Sequence, residues 1–285
     1  MNHKKVAVVT GSSSGIGLET SLMLSRAGFL TYATMRNLGN VSGLNEIVKK
    51  EGLDLTMLKL DVNNDYSVNE AINLIVEESK GIDVLVNNAG YALVGSVEEL
   101  TIEEIKEQFE TNFFGAIRSI KAVLPVMKKQ RSGTIVNISS IAGKVGLPLN
   151  SPYVSTKFAL EGFSESIRYE LKEFGIELIV IEPGAIKSNF LNNAKMAKMI
   201  DTSHSDYGNL MKQLFDGFIT IMKNASSPTK VAETILTAVT SKNKNFTYVV
   251  GDDAKSIIQS RKSMSEKEFE IWMKESILDH KGFNR

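Results

Sequence analysis

Short apolar runs alternate with longer amphipathic ones along this chain. Val6 to Thr10, Phe29 to Thr34, Leu55 to Leu60, Val84 to Asn87, Thr134 to Ser139, Ile176 to Ile181 and Phe246 to Val250 are apolar and often β-branched. Strands buried on both faces have that character. Helical segments separate them. Alternating strands and helices predict an α/β fold: a doubly wound parallel sheet of about seven strands with helices on both faces.

Two helix starts are well marked. Thr101-Ile102-Glu103-Glu104 is a capping box. It opens a segment with Ile105, Phe109, Phe113, Ile117, Ile120 and Leu124 on one apolar stripe. Pro152 suits a first helical turn, where its missing N–H costs nothing; that helix would bury Phe163, Ile167 and Leu171. Residues 190–225 read as a helical, methionine-studded lid, with Met196, Met199, Met211 and Met222 beside Phe215 and Phe218. Residues 252–285 read as a helical C-terminal extension. Ser265 and Glu268 would cap its second helix, and Phe269, Trp272, Met273 and Ile277 share one face. No repeat or low-complexity linker divides the chain, so residues 1–285 are expected to form one domain.

Composition narrows the function classes. The 285 residues are 42% hydrophobic and 23% charged, with 33 basic and 33 acidic side chains. Zero formal charge argues against nucleic acid or an anionic membrane as partner. No cysteine is present, which excludes disulfides, thiolate catalysis and cysteine-ligated metal. His3, His204 and His280 stand apart from one another and from acidic pairs at ligand spacing, so no metal site is expected. The start of the chain lacks a signal-peptide pattern and no stretch is long enough for a membrane helix. The expectation is a cytoplasmic protein without a membrane span.

Thr10-Gly11-Ser12-Ser13-Ser14-Gly15-Ile16-Gly17 follows the first strand and runs into a helix. Glycines let the backbone approach a pyrophosphate, and the free N–H groups of the helix terminus point at it. The spacing is G-x-x-x-G-x-G, not the standard G-x-G-x-x-G, but its place at the first strand–helix junction predicts a Rossmann-type dinucleotide site. An acid usually ends the second strand of such a site and binds the ribose 2′-hydroxyl. Met35 stands there instead, followed by Arg36. A guanidinium can pair with a 2′-phosphate that a carboxylate would repel. NADP(H) is therefore the expected cofactor, with NAD(H) left open.

Tyr153 and Lys157 lie four residues apart, on one face near a helix start. An ammonium and the positive end of a helix both favour a phenolate, so the expectation is a tyrosine lowered from its usual value and acting as general acid/base. By itself this spacing is weak. Taken together, Thr10-Gly11-x-x-x-Gly15-x-Gly17, Asn87-Asn88-Ala89-Gly90, Asn112, Ser139-Ser140, Tyr153-x-x-x-Lys157 and Pro183-Gly184 occur in the order and spacing of short-chain dehydrogenases/reductases. The chain resembles that family from about Lys4 to Gly251. The wording Tyr32-Ala33-Thr34-Met35-Arg36 looks like its steroid and retinol dehydrogenase branch.

The resemblance implies roles. Tyr153 would give a proton to a carbonyl oxygen or take one from an alcohol. Lys157 would lower its pKa and meet the nicotinamide ribose. Ser140, rather than its neighbour Ser139, would hold the substrate oxygen, and Asn112 would hold a water on the proton path to Lys157. Gly11, Gly15, Ile16 and Gly17 would surround the pyrophosphate, and Ser13 with Arg36 would meet the 2′-phosphate. Asp61 and Val62 would contact adenine. Asn87, Ala89 and Gly90 would line the adenosine ribose, with a purely structural turn as the other reading of that motif. Pro183, Gly184, Ile186 and Ser188 would enclose the nicotinamide.

In this family, loops beyond the sheet edge recognise substrate. Here they carry Leu93, Val94, Val145, Leu147, Leu149, Phe190, Leu191, Phe215 and Phe218. A small hydrophobic alcohol, ketone or aldehyde is the expected substrate; lid packing or a subunit interface would use the same residues. The resemblance also implies a homodimer or homotetramer through the helices beginning near Thr101 and Pro152. The alternatives in function are a catalytically silent NADP(H)-binding sensor or scaffold, or a sugar-nucleotide epimerase or dehydratase. The presence of Asn112, Ser140, Tyr153 and Lys157 weighs against the first. The glycine spacing and the lack of a larger C-terminal domain weigh against the second.

Overall fold

The computed structural model describes residues 4–40, 42–190, 193–198 and 206–283. Every residue of β1 (Val6–Thr10) is buried, as its run of valines requires. From it the chain passes through α1 (Gly15–Arg26), β2 (Leu30–Met35), α2 (Ser42–Glu51), β3 (Leu55–Lys59) and α3 (Asp65–Ser79). It then crosses back through β4 (Val84–Asn87), the short β5 (Leu93–Val94), α4 (Ile102–Phe109), α5 (Gly115–Gln130) and β6 (Gly133–Ile138). The long α6 (Ser151–Lys172), β7 (Ile176–Pro183), the short β8 (Lys195–Met196), α7 (Gly208–Lys223), α8 (Pro228–Thr240) and β9 (Thr247–Val250) come next. The last helices are α9 (Asp252–Ser263) and α10 (Glu266–Ile277).

Seven strands form one sheet in the order β3-β2-β1-β4-β6-β7-β9, parallel throughout. Side-chain alternation along each strand splits the core in two. Val6, Val8, Leu85, Ile135, Leu178 and Val180 face α3, α5 and α6. Ala7, Val9, Val84, Val86, Val136, Ile138, Ile179 and Ile181 face the other way, onto α1 and α8. The expected doubly wound sheet is present, with strand ends within one or two residues of those read from the pattern. An additional two-stranded pair, β5 with β8, has no counterpart in the sequence pattern.

The helix after Thr101 differs from its expected form. Its capping box is made, but the helix widens into one π-helical turn at Glu110–Phe114 before α5. A π turn adds a residue and rotates the rest of the helix about its axis. The uninterrupted stripe through Phe113, Ile117 and Leu124 is therefore displaced, and α5 buries Ala116, Ser119, Ile120, Val123 and Met127. Phe113 packs edge-on against Phe109 and Phe163, with ring centroids 6.2 and 5.8 Å apart.

Within 190–225, the helix covers only α7; Leu191, Met199 and His204 lie outside the described residues, as does His3. The C-terminal extension folds back over the sheet's C-terminal edge. Ser265 and Glu268 form the capping box of α10, and Phe269, Trp272, Met273 and Ile277 are all buried. They form a third apolar cluster with Met211 and Leu214 of α7 and with Val94, Ile141 and Val145. Gly217 lets α7 and α10 meet: a Cβ there would overlap the Ile277 carbonyl oxygen.

Candidate active site

The chain leaves β1 toward β2 on one side, while β4 lies on the other. A crevice opens at such a switch point, at the C-terminal ends of the strands. Here it is a cleft of about 1400 Å³. Of the expected cofactor positions, Gly11, Ser13, Gly15, Ile16, Arg36, Asp61, Val62, Ala89, Gly90, Pro183, Gly184, Ile186 and Ser188 line it, as do Ser140, Tyr153 and Lys157.

The glycine turn is built for close approach. Gly11 and Gly15 have φ of +68° and +58°, a left-handed backbone that glycine adopts without strain. The Ser14 side chain makes no capping bond, and the first turn of α1 has no acid. The helix terminus thus presents its N–H groups to the cleft without a competing carboxylate, which fits a pyrophosphate. A Cβ on Gly15 would come within 3.3 Å of Ser188 Cβ, so the glycine turn and the loop after β7 face each other closely. Met35 is buried in the sheet, while Arg36 is exposed at the rim of the cleft. The Asp61 carboxylate accepts the Asn63 N–H at 3.0 Å and shapes the turn after β3.

Three expected residues do not line the cleft. Gly17 packs beneath the turn, where a Cβ would overlap the Gly11 carbonyl oxygen. The Asn87 side chain lies inside the sheet and donates to Asn137 Oδ1 at 2.9 Å, because it belongs to the fully buried β4. Its neighbour Asn88 reaches the cleft instead and donates to the Thr10 and Gly11 carbonyls at 2.9 and 3.0 Å, tying β4 to the glycine turn. Asn112 is buried in the π turn. It accepts from the Tyr91 N–H at 3.0 Å and donates to the Tyr91 carbonyl at 2.9 Å and to Thr156 Oγ1 at 3.3 Å. That geometry secures α4, α6 and the loop after β4 to one another.

Tyr153 sits in the first turn of α6, beneath the ring of Phe190 at 5.8 Å, and lines the cleft together with Ser140, whose hydroxyl accepts the Ala142 N–H at 3.1 Å. Ser139 also borders the cleft, but its hydroxyl is buried and a Cβ on Gly143 would meet it at 2.8 Å. One turn further along α6, Lys157 Nζ lies 5.6 Å from the Tyr153 ring centroid. It donates to the Ile138 carbonyl at 2.8 Å.

Electrostatics here differ from the expectation. Burial pushes the Tyr153 phenol up to about 12, with the neighbouring Ser140 hydroxyl pulling the other way. Burial pushes Lys157 down to about 8, opposed by the negative charge of Glu161. Desolvation penalises both charged forms and outweighs the attraction expected between them. The pair is poised with the phenol protonated and the lysine close to half-titrated near pH 8.

The far end of the cleft is apolar. Val94, Leu147, Phe190, Phe215 and Phe218 line it as expected, whereas Leu93, Val145 and Leu149 pack elsewhere. Leu214, Ile219 and Ile221 of α7 join them, together with Ile257, Ile277 and Phe283 of the extension. From sequence the Trp272 helix could cover the pocket, join a dimer or simply dock on the body; its Ile277 reaches the cleft. Among the described residues, no group of three or more His, Cys, Asp or Glu could hold a metal. No described helix is long and apolar enough to cross a membrane.

Similarity to known proteins agrees with this geometry. The family model for short chain dehydrogenases matches residues 5–199. The chain is 37% identical to an uncharacterized oxidoreductase, YusZ, of Bacillus subtilis, over 99% of this chain and 100% of that one. It is 35% identical to a 3-ketodihydrosphingosine reductase of Bacteroides thetaiotaomicron, over 91% of this chain and 92% of that one. Against bovine retinol dehydrogenase 8 it is 41% identical, over 70% of this chain and 64% of that protein. Among solved structures, a short-chain dehydrogenase from Streptomyces avermitilis superposes with a TM-score of 0.80 at 29% identity, covering 97% of this chain and 98% of that one. ElxO with NADP bound superposes with a TM-score of 0.73 at 29% identity, covering 89% and 99%.

Proposed function

From its membership of the short-chain dehydrogenase family, which makes the chain an oxidoreductase acting on CH–OH groups, we propose that it is an NADP(H)-dependent reductase of hydrophobic ketones or aldehydes. The observation that carries this reading is the convergence of Ser140, Tyr153 and Lys157 on one cleft, with Lys157 one turn along α6 from Tyr153, where the polar groove meets the apolar chamber.

Hydride transfer is the chemistry that a nicotinamide dinucleotide supplies when bound. The chain's own residues supply the rest. The glycine turn and the start of α1 would hold the pyrophosphate. Arg36 and Ser13 would hold a 2′-phosphate; Asp61 and Val62 would flank the adenine; Asn88, Ala89 and Gly90 would flank its ribose. Pro183, Gly184, Ile186 and Ser188 would border the nicotinamide. Ser140 Oγ donates to the substrate carbonyl oxygen and stabilises the charge that develops there. Tyr153 Oη gives that oxygen its proton, and a phenol held near 12 carries this proton throughout the neutral range. The Lys157 ammonium, anchored on Ile138, stabilises the phenolate left behind. Asn112 acts through position, by fixing the π turn and the start of α6.

The apolar wall and its share of the C-terminal extension support a hydrophobic substrate. The names of two relatives, a 3-ketodihydrosphingosine reductase and a retinol dehydrogenase, agree with it. We also propose a cytoplasmic location, which the lack of cysteine fits. A homodimer or homotetramer is favoured by two exposed phenylalanines, Phe114 in the π turn and Phe158 on α6. The functional test is a panel of long-chain, terpenoid and polycyclic carbonyl compounds with NADPH. Turnover that rises with apolar size supports the reading; turnover confined to small polar carbonyls contradicts it.

A further inference from the structure

The start of α9 bears on the loop after β7. β7 and β9 are neighbours in the sheet, with Pro183 opposite Val250. The chain leaves each through a glycine: Gly184, whose N–H donates to the Val250 carbonyl at 2.8 Å, and Gly251, at φ +110°. Between these two glycines sits the carboxylate of Asp253. A Cβ on Gly184 would overlap both of its oxygens, and a Cβ on Gly251 would overlap Oδ1. Oδ2 accepts the Ala185 N–H at 2.6 Å. Gly184 thus leaves space for the carboxylate, and Gly251 does so while also adopting a backbone that favours glycine.

An acid in the first turn of a helix is commonplace, since the helix dipole favours it. Asp253 differs in where it points. Its carboxylate leaves its own helix and binds the backbone of the Pro183–Ser188 loop, at the wall of the cleft. Ala254 and Ile257 are buried at 0% and 1% exposure, so α9 is a firm base for that contact. On the far side the loop is held through main-chain bonds with Ser226, to Ala185 at 3.0 Å and Lys187 at 2.8 Å.

We propose that Asp253 is a positioning residue: it joins the C-terminal extension to the loop that borders the nicotinamide and sets that loop's place in the cleft. This rests on the functional reading above. Small misplacement near reacting groups is costly in rate, about 10²-fold for roughly 1 Å. The adenosine end of the cleft lies far along the sheet edge, on β2 and β3, and does not share this contact.

The test uses the full-length protein and the variants Asp253→Ala and Asp253→Asn. Three quantities are read: fluorescence of bound NADPH, affinity for adenosine 2′,5′-bisphosphate, which lacks the nicotinamide, and kcat. In Asp253→Ala, kcat should fall about 10–10²-fold and bound NADPH fluorescence should move toward that of the free compound. Affinity for the bisphosphate should stay at the wild-type level, which also reports a folded protein. Asp253→Asn, which keeps an acceptor oxygen, should recover most of both losses. Unchanged fluorescence and kcat in Asp253→Ala would overturn the assignment. So would loss of bisphosphate binding, since Asp253 would then hold the fold and not the loop. An Asn variant as impaired as Ala would overturn the hydrogen-bond role. Failure of the wild-type protein to bind NADPH would contradict the functional reading itself, separately from any variant.

Discussion

The Ile138 carbonyl, at the end of β6, accepts a hydrogen bond from Lys157 Nζ at 2.8 Å. This bond fixes the lysine beside Tyr153 while burial holds its pKa near 8. A base with a lowered pKa is charged below that value and neutral above it. Tyr153, near 12, keeps its proton across the same range. Carbonyl reduction should therefore decline as pH rises through about 8, as the ammonium that supports the phenolate is lost. Glu161, one turn along α6, raises the Lys157 value. Glu161→Gln should move the break to lower pH. A pH–rate profile flat well into the alkaline range, or a break that moves upward in Glu161→Gln, would count against this.

Tyr153→Phe keeps the ring beneath Phe190 but removes the proton donor. Turnover should drop by about 10²–10⁴-fold with cofactor binding retained. Steady-state kinetics beside a binding titration will separate the two. Near-normal turnover would remove Tyr153 from the chemistry.

Arg36 stands at the rim where a 2′-phosphate would lie. Hydrogen bonds to a charged group contribute about 1.5–3 kcal/mol, or about 10–10²-fold in affinity. Arg36→Ala should weaken NADPH by that factor and leave NADH nearly unchanged. Equal weakening of both would mean that Arg36 does not read the phosphate.

Gly217 is where α7 touches the end of α10. Gly217→Ala places a methyl group on the Ile277 carbonyl, and overpacking of this kind costs about 1–3 kcal/mol. Ile277 also lines the cleft. Thermal unfolding should occur at lower temperature, and KM for a hydrophobic carbonyl should rise more than KM for NADPH. Unchanged stability and KM would show that α7 and the extension are not tightly coupled.

Much of this molecule was legible in its amino-acid order. Strand runs such as Val6–Thr10 and Val84–Asn87 match the observed elements residue for residue, because strands buried on both faces must be apolar throughout. The grouping of Gly11, Gly15, Ser140, Tyr153 and Lys157 around one cleft was expected from the resemblance to short-chain dehydrogenases/reductases, since the Tyr153–Lys157 spacing alone is weak.

The hidden features depend on contacts between distant segments. The π turn at Glu110–Phe114 has no mark in helical periodicity, yet after it α5 buries Ala116, Ser119, Ile120, Val123 and Met127. Asn87 and Asn88 differ by one residue, and only the pleat of β4 decides which reaches the cleft. The reach of Ile257, Ile277 and Phe283 into the apolar part of the cleft requires the extension to fold back on α7. No local pattern specifies that path. The Tyr153 and Lys157 values also depend on depth of burial, which spacing alone does not report.

The most direct test of the central claim is titration of the purified protein with NADPH and with NADH, monitored by nicotinamide fluorescence. The account predicts tight binding of NADPH and weak binding of NADH. Tighter binding of NADH would contradict the role given to Arg36 and the choice of cofactor, and binding of neither would contradict the proposed function as a whole.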